Sequence, residues 1–436
     1  MYMRYISLCL LSLAVLLTSS CEIDEQFDPN GPSLNSVLTN ASRTELNLLV
    51  SGTEARMRNG LETFVTSTGT IARELYRFDA DPRNTEDLLG KDDLTLDANT
   101  FYLTAPYNTR YRVVKNCNTL LDAIANTDQV SEVEKDGYRG FANTIKAYML
   151  SQVLGMLGDN GIRVDVDEPD NPGPFLSEQE AYTAIRDILD EGFDQLQGAE
   201  FAFSLSSGFN GFDTPETFAQ FNRAIAARVA IYDEDYAGAL SAVNNSFLDL
   251  DGPLNTGPKH IFSTSAGDIL NGLFKAPGQS GDQIIVHNSY LEDAIDGDAR
   301  LDKFGERVNA TSQDGLNGTH ETRLYESATS PIDIIRNEEL ILILAEASIQ
   351  QGDFPQAVEA IDKVRVDNNI GVYTGPETED ALIDEMLFQR RYSFWAEGQR
   401  MFDLRRYGRL NEDFLPIDRE GDDVFQQFPI PLTEGV

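Results

Sequence analysis

The stretch EASIQQGDFPQAVEAI, residues 346–361, reads as two helices joined at a sharp turn. Leu340, Leu344 and Ala347 line up one apolar face of the first helix at helical spacing. Gly352 supplies the left-handed residue that stops it, since a residue without Cβ enters that region at little steric cost. Asp353 then offers a side-chain oxygen to the open amides of the next helix, and Pro355 falls in the first turn, where its missing N–H is not needed. Ala357, Ile361 and Val364 resume the helical period. The product is a helical hairpin.

Working outward, AARVAIYDEDYAGALSAV from Ala226 repeats the form: a small-residue helix, an acidic turn, Tyr236, then Ala239. Both stretches resemble the tetratricopeptide turn, in which small residues let paired helices approach closely. Helical patterning covers residues 41–75, 108–125, 134–158, 178–197, 215–248, 332–366 and 378–408. The intervening segments are rich in Gly, Pro, Asn, Asp and aromatics and read as loops with short strands. Loops of such length are uncommon unless functional. The expected fold is mainly α: a tetratricopeptide-like helical hairpin scaffold over 41–436, interrupted by an irregular, loop-rich lobe from about 73–107, 160–177, 200–215 and 251–330.

The chain opens with MYMRYISLCLLSLAVLLTSSCEIDE, where Arg4 precedes an apolar run from Ile6 to Leu17 and small residues lead into Cys21. This is the pattern of a lipoprotein signal peptide over 1–20, with Cys21 as the lipidated N-terminus of a polar tether over 21–40. Thr18 stands where leucine is usual, which leaves plain secretory cleavage as the alternative. Glu22, Asp24 and Glu25 follow at once and resemble the signal that sends lipoproteins to the outer face of an outer membrane. Cys9 leaves with the signal peptide and Cys21 carries lipid, so Cys117 has no intrachain partner and reads as a core thiol.

Across 436 residues the formal net charge is −38, and such a field repels polyanions, so nucleic acid is excluded as a partner. A neutral or cationic ligand, or a basic protein, fits better. Catalytic signatures fail on inspection. HETRL at His320 has Leu324 where a zinc protease needs its second histidine, and GQSGD at Gly278 ends in Asp282 where a nucleophile elbow needs glycine. His260, His287 and His320 have no metal-ligand spacing, and no nucleotide-binding glycine pattern occurs. No catalytic residue, cofactor or metal is expected.

The run QRRYSFWAEGQRMFDLRRYGR, residues 389–409, holds six arginines and the only tryptophan of an acidic chain. Together with IDIIRNEELILILAEASIQQGDFPQAVEAIDKVR from Ile332, Asp298 and Arg300 in GDAR, DPNGPS from Asp28 and FPIPLTEG from Phe428, it resembles the SusD/RagB family of outer-membrane nutrient-uptake lipoproteins. The resemblance implies a helical scaffold, an irregular lobe that binds nutrient, most often glycan, and a TonB-dependent, SusC-like outer-membrane transporter as partner. It places the protein at the cell surface, anchored by lipid. The alternatives are a peptide-binding or scaffold lipoprotein of the same family, and a secreted hydrolase.

Two expectations concern residues. An anion site is one reading of the arginines; a buried ion-pair network is the other, and is preferred because an unpaired buried charge costs several kcal/mol. The network is assigned to Glu339, Glu346, Arg390, Arg391, Trp395, Glu397, Arg400, Asp403 and Arg405, with Glu338 as a further carboxylate. In the family pattern a glutamate precedes the double arginine and another follows it, whereas this chain has Gln389 and Ser393. Ligand contacts are assigned to the loops, where aromatic faces and planar polar groups could grip a sugar: Arg73, Tyr76, Arg77, Phe78, Asp81, Arg83, Tyr102 and Tyr290, with Tyr107 and Tyr325 as lesser candidates.

Overall fold

The structure, a computed structural model, describes residues 34–168 and 170–435. The expected signal peptide, Cys21 and the first part of the tether lie outside the described residues.

The described chain begins with helices α1 (Leu34–Asn40), α2 (Arg43–Arg56) and α3 (Leu61–Ile71), followed by strand β1 (Leu75–Phe78). Helices α4 (Phe101–Asn126) and α5 (Glu132–Leu157) lead to strands β2 (Ile162–Arg163) and β3 (Phe175–Leu176). Next come α6 (Glu178–Leu196), α7 (Pro215–Tyr232) and α8 (Tyr236–Asn244). The lobe contributes β4 (Lys259–His260), β5 (Gln283–Val286), the short α9 (Ser289–Glu292), β6 (Phe304–Gln313), β7 (Leu316–Thr322) and β8 (Ile332–Asp333). Helices α10 (Asn337–Gln350), α11 (Phe354–Asp367), α12 (Glu379–Ser393) and α13 (Arg400–Arg406) complete the scaffold.

Helix starts follow from local chemistry. Ser42, Ser131, Ser177 and Thr214 each close a capping box with the residue three positions on, satisfying amides that have no partner inside the helix. At the α10–α11 turn Gly352 has φ of 78° and Asp353 accepts from the amide of Gln356. The α7–α8 turn is built alike, with Asp235 accepting from Gly238. Gly140 lets α5 lie against α6: a Cβ there would meet Leu196 Cγ at 2.5 Å and the Gly192 carbonyl at 3.0 Å.

Helix α10 runs through the middle of the scaffold and is buried on every side from Asn337 to Ile349. A helix apolar all round belongs in a core. This one also carries Glu338, Glu339 and Glu346 into it, so each must find a positive partner. The helical core includes Val153, Ile225, Leu340 and Ile361. A second cluster lies beneath the lobe and centres on Trp395, which is fully buried.

The lobe departs from expectation in being organised by a sheet. Strands β1, β5, β7 and β6 pair antiparallel in that order. Tyr76, Phe78, Ile285 and Leu316 on this sheet close with Leu89 over a small core of their own. The four residues of β1 pair with a strand more than two hundred positions away, so no local window of sequence reveals the pairing. Similarly, α4 starts at Phe101 rather than near residue 108.

Candidate functional site

The aromatic residues assigned to ligand contact lie in the interior. Tyr76 and Phe78 are buried and stack on one another at 5.8 Å, with ring planes 7° apart. Tyr102 is buried, and its hydroxyl accepts from the Asp97 amide at 2.6 Å and donates to Asp87 at 3.1 Å. Tyr290 is buried among Phe304 and Tyr392, with ring centroids 5.9 and 5.4 Å away. Tyr107 is also buried and donates to Glu434 at 2.7 Å. Tyr325 packs partly buried against the cluster beneath the lobe. Arg73 is buried too, donating to the carbonyls of Ile71 and Asp423 at 3.1 and 2.8 Å. A ring whose faces are covered offers none to a sugar, so these positions are corrected from contacts to supports. For Tyr76 and Phe78 the physical reason is the sheet, which turns these two side chains of β1 inward, while Tyr102 and Tyr107 lie on the packed side of α4 and Tyr290 on that of α9.

What reaches the surface is a smaller rim. Asp81 grips Arg83 by two bonds, to Nε at 2.8 Å and to Nη2 at 2.6 Å, and the Arg83 hydrogen bonds hold the aspartate below the usual carboxylate range. The planar guanidinium is thereby laid over the Phe101 ring, 5.0 Å from its centroid, while about half of the Arg83 side chain stays exposed. Phe101 in turn stands edge-on to Tyr102 at 5.7 Å. Beside it, Arg77 lies 3.0 Å from both Glu62 and Asp79 and 3.4 Å from Asp282, and Lys275 bonds Glu62 at 2.8 Å and Asp282 at 2.7 Å. Arg77, Asp81 and Arg83 were named from the sequence. Phe101, Glu62, Asp79, Lys275 and Asp282 were not, and the one local cue was Phe101 at the first turn of a helix next to an already named tyrosine.

The arginines divide into two groups. Arg390 bonds Asp403 at 2.7 Å and the Gln399 side-chain oxygen at 2.9 Å; Gln399 donates onward to Glu339 at 2.9 Å, and Glu339 is held bidentate by Arg228 at 2.5 and 2.7 Å. On the other side of Asp403, Arg406 bonds it at 3.0 Å and clamps Glu346 with both terminal nitrogens, one of them at 2.7 Å. Burial alone would raise the carboxyls of Glu339 and Asp403, but the facing guanidinium groups overcome it and hold both below their ordinary values. Glu397 belongs to a separate pair with Arg336, at 2.5 Å, and Arg336 also bonds Glu338 at 2.8 Å.

Arg391, Arg400 and Arg405 stand outside this chain of pairs, a correction to the expected membership. Arg391 reaches Asp293 and Ser289, both at 2.8 Å. Arg400 donates to the Ala72 carbonyl at 3.3 Å and covers the Tyr290 ring. Arg405 donates to the Gly155 carbonyl at 2.9 Å. Arg406, one position on, points the other way around α13 and takes the buried role. Trp395 donates its indole N–H to the Glu74 carbonyl at 3.0 Å. The Ser393 hydroxyl donates to Glu338 at 2.5 Å and receives Arg300 at 3.1 Å, so a carboxylate from α10 serves where the family pattern has a glutamate at 393.

Residues 299–431 match the model of the SusD family. In that third the chain is SusD-like. Among solved structures, the chain superposes on a SusD superfamily protein from Bacteroides vulgatus with a TM-score of 0.69 at 17% identity, covering 89% of this chain and 96% of that one. It is equally similar in fold to surface glycan-binding protein A from Bacteroides thetaiotaomicron, at TM-score 0.69, 14% identity and 91% and 97% coverage. A SusD-like carbohydrate binding protein from Bacteroides vulgatus matches at TM-score 0.61, 14% identity and 84% and 83% coverage. No curated protein matches. The SusD-like fold therefore extends well beyond the C-terminal third in which the sequence matches the family. Among the described residues no helix is long and apolar enough to cross a membrane, and no group of acidic, histidine or cysteine side chains is placed to hold a metal ion.

Proposed function

We propose that this SusD-like chain captures an oligosaccharide without catalysis and passes it to a TonB-dependent, SusC-like transporter of the outer membrane, where lipid on Cys21 anchors it at the cell surface. The observation that carries the binding step is the Asp81–Arg83–Phe101 rim: a guanidinium held over an aromatic ring, with about half of the arginine side chain open to solvent, beside further carboxylates. Such a surface covers a sugar C–H face and hydrogen-bonds its hydroxyls. Two solved proteins of the same fold are named for glycan or carbohydrate binding, which supports the ligand class.

A peptide ligand is the second reading. It is favoured by the half-buried ionic cluster of Glu62, Arg77, Asp79, Lys275 and Asp282 beside the rim, which suits charged side chains better than hydroxyls.

The test is a glycan and peptide panel against the wild type and Arg83→Ala. Loss of a stacked, hydrogen-bonding group of this kind should weaken a bound glycan about tenfold with the fold intact. A glycan that binds both proteins equally would move the site off the rim, and a panel answered only by peptides would transfer the conclusion to the second reading. Mass spectrometry of the N-terminus reports the lipid; an unmodified Cys21 overturns the anchor.

A further inference from the structure

The buried arginines Arg73, Arg228, Arg300, Arg336 and Arg390 each face a carboxylate at 3.5 Å or closer. Arg110 of α4 is buried as deeply, only 1% exposed, and ion-pairs with none of the described residues. Its hydrogen bonds go to neutral groups: Nε donates to the Gln152 side-chain oxygen at 2.9 Å, and Nη1 to the Asn59 carbonyl at 3.2 Å and the Thr109 hydroxyl at 3.3 Å. Nη2 is buried with no partner among the described residues. Burial lowers the guanidinium to about 10, so it stays charged at neutral pH. The Phe64 ring, 4.7 Å away, offers a cation–π contact, which returns less than the burial of an unpaired charge costs.

Nε and Nη2 form one side of a guanidinium fork, the side by which Arg83 holds Asp81 and Arg228 holds Glu339. In Arg110 that side meets an amide oxygen at Nε and leaves Nη2 open beside it. Gln152 and Phe64 also line a cavity of about 50 Å³, whose wall includes Tyr148 of α5, Arg228 of α7 and His260 of β4. A water takes up about 30 Å³, so this space suits one or two small guests and no sugar. The wall supplies further donors. Burial, then Arg58 and Arg110, hold His260 down to about 3, so its imidazole is neutral and carries one N–H. The Tyr148 hydroxyl accepts from Gln152 at 2.9 Å and keeps its own proton to donate. The other charges of the wall are matched, Arg228 by Glu339, Glu397 by Arg336 and Asp333 by Lys259, which leaves Arg110 unmatched. His260 lines an outer cleft of about 280 Å³ as well, a route from solvent.

We infer that this cavity is an anion site, in which a monovalent ion of chloride size sits against Arg110 Nη2, with Tyr148 and His260 as further donors, and serves as the counter-ion that no carboxylate provides. A water would satisfy the N–H and leave the charge uncompensated. A divalent anion would overcompensate a single guanidinium. The ion ties α4 and α5 to strand β4 of the lobe, so the junction between scaffold and lobe is strengthened by halide.

Thermal melting of the mature chain at fixed ionic strength, with sodium gluconate exchanged stepwise for sodium chloride, tests this; ionic strength is held because a chain of net charge −38 responds to any salt. Gluconate is too large for the cavity. Tm should climb with chloride and saturate, as binding to the folded state requires. Arg110→Gln should raise the apparent chloride Kd at least about tenfold. Gln152→Glu, which sets a carboxylate against Nε at unchanged volume, should replace the ion: its chloride dependence is lost, and its Tm in gluconate exceeds that of the wild type. Crystals grown in bromide should show an anomalous peak in the cavity beside Nη2 that is missing from Gln152→Glu. A chloride response that does not saturate, a Gln152→Glu protein that responds like the wild type, or a cavity without bromide overturns the inference. Bromide in the cavity without a saturating Tm response marks an adventitious ion only and overturns it too. Gln152→Glu and the bromide crystals decide the matter if Arg110→Gln does not fold. The site shares no residue with the rim, so the glycan panel does not bear on it.

Discussion

Replacing Arg406 with alanine would leave the Glu346 carboxylate, whose side chain is wholly inaccessible, with the Tyr407 hydroxyl at 2.8 Å as its remaining partner. Asp403 keeps Arg390 and is less affected. Breaking a buried pair from one side costs about 3–5 kcal/mol, because the orphaned charge keeps its desolvation penalty and loses its compensation. Unfolding entropy near 2.1 cal/mol/K per residue over roughly 400 ordered residues turns this into a fall in Tm of about 4–6 °C if the chain unfolds as one unit. Arg405→Ala, next door, should cost clearly less, since Arg405 bonds backbone carbonyls at a partly open site. The decisive construction is the double variant Arg406→Met with Glu346→Leu. Removing both charges removes the penalty, so the double variant should recover most of the loss. Scanning calorimetry of the four proteins reads this out. A double variant no more stable than Arg406→Ala, or an Arg406→Ala protein that melts with the wild type, would refute the argument that pairing is what makes these buried charges tolerable.

Two further outcomes follow from the interior of the lobe. Glu74 is buried with one carboxyl oxygen unpartnered, and burial, against the opposing charge of Arg400, pushes its pKa up to about 8 from an ordinary 4.5. Its folded-state value exceeds its unfolded one, so its contribution is complete below about pH 4.5 and is lost as pH rises through 8. Glu74→Gln should therefore flatten the decline of Tm with pH across that interval and gain on the wild type at its upper end; parallel curves would count against a neutral Glu74. Tyr76→Ala should cost about 3–5 kcal/mol as a core truncation and leave rim affinity unchanged. Unaltered thermal stability with weakened glycan binding would return Tyr76 to the ligand face.

The helical hairpins were legible because their information is local. Gly352, Asp353 and Pro355 fix a stop and a start within four positions, and the capping boxes at Ser131 and Ser177 need only four residues each. The sheet was not, because β1 is four residues between a helix end and the turn formers Asp79, Asp81 and Pro82, and its partner lies in another part of the chain. That gap hid the burial of two candidate residues as well. Tyr76 and Phe78 sit in a segment with loop composition, and composition says nothing about which way a short strand faces. The arginine network was half legible: the excess of buried carboxylates on α10 demanded guanidinium partners, but the choice between Arg405 and Arg406 depends on helix phase. Arg406 follows Asp403 by three positions, on the same face of α13, a spacing that would have singled it out. Arg228 could not be paired with Glu339 from sequence at all, since tertiary packing alone joins α7 to α10.

The buried pairs also bear on chimeras. Residues 299–431 are the part recognisable by sequence, yet their polar groups are completed by earlier residues: Glu339 by Arg228, Trp395 by the Glu74 carbonyl, and the Phe428 backbone by Met156 at 3.0 Å and Asn160 at 2.8 Å. Grafting this third onto the front of a relative would carry over one half of each bond and strand the other. Recombination within this fold should thus succeed only where a donor segment brings its partners along, and crossover points inside the scaffold should be rarer than the loops between its helices would suggest.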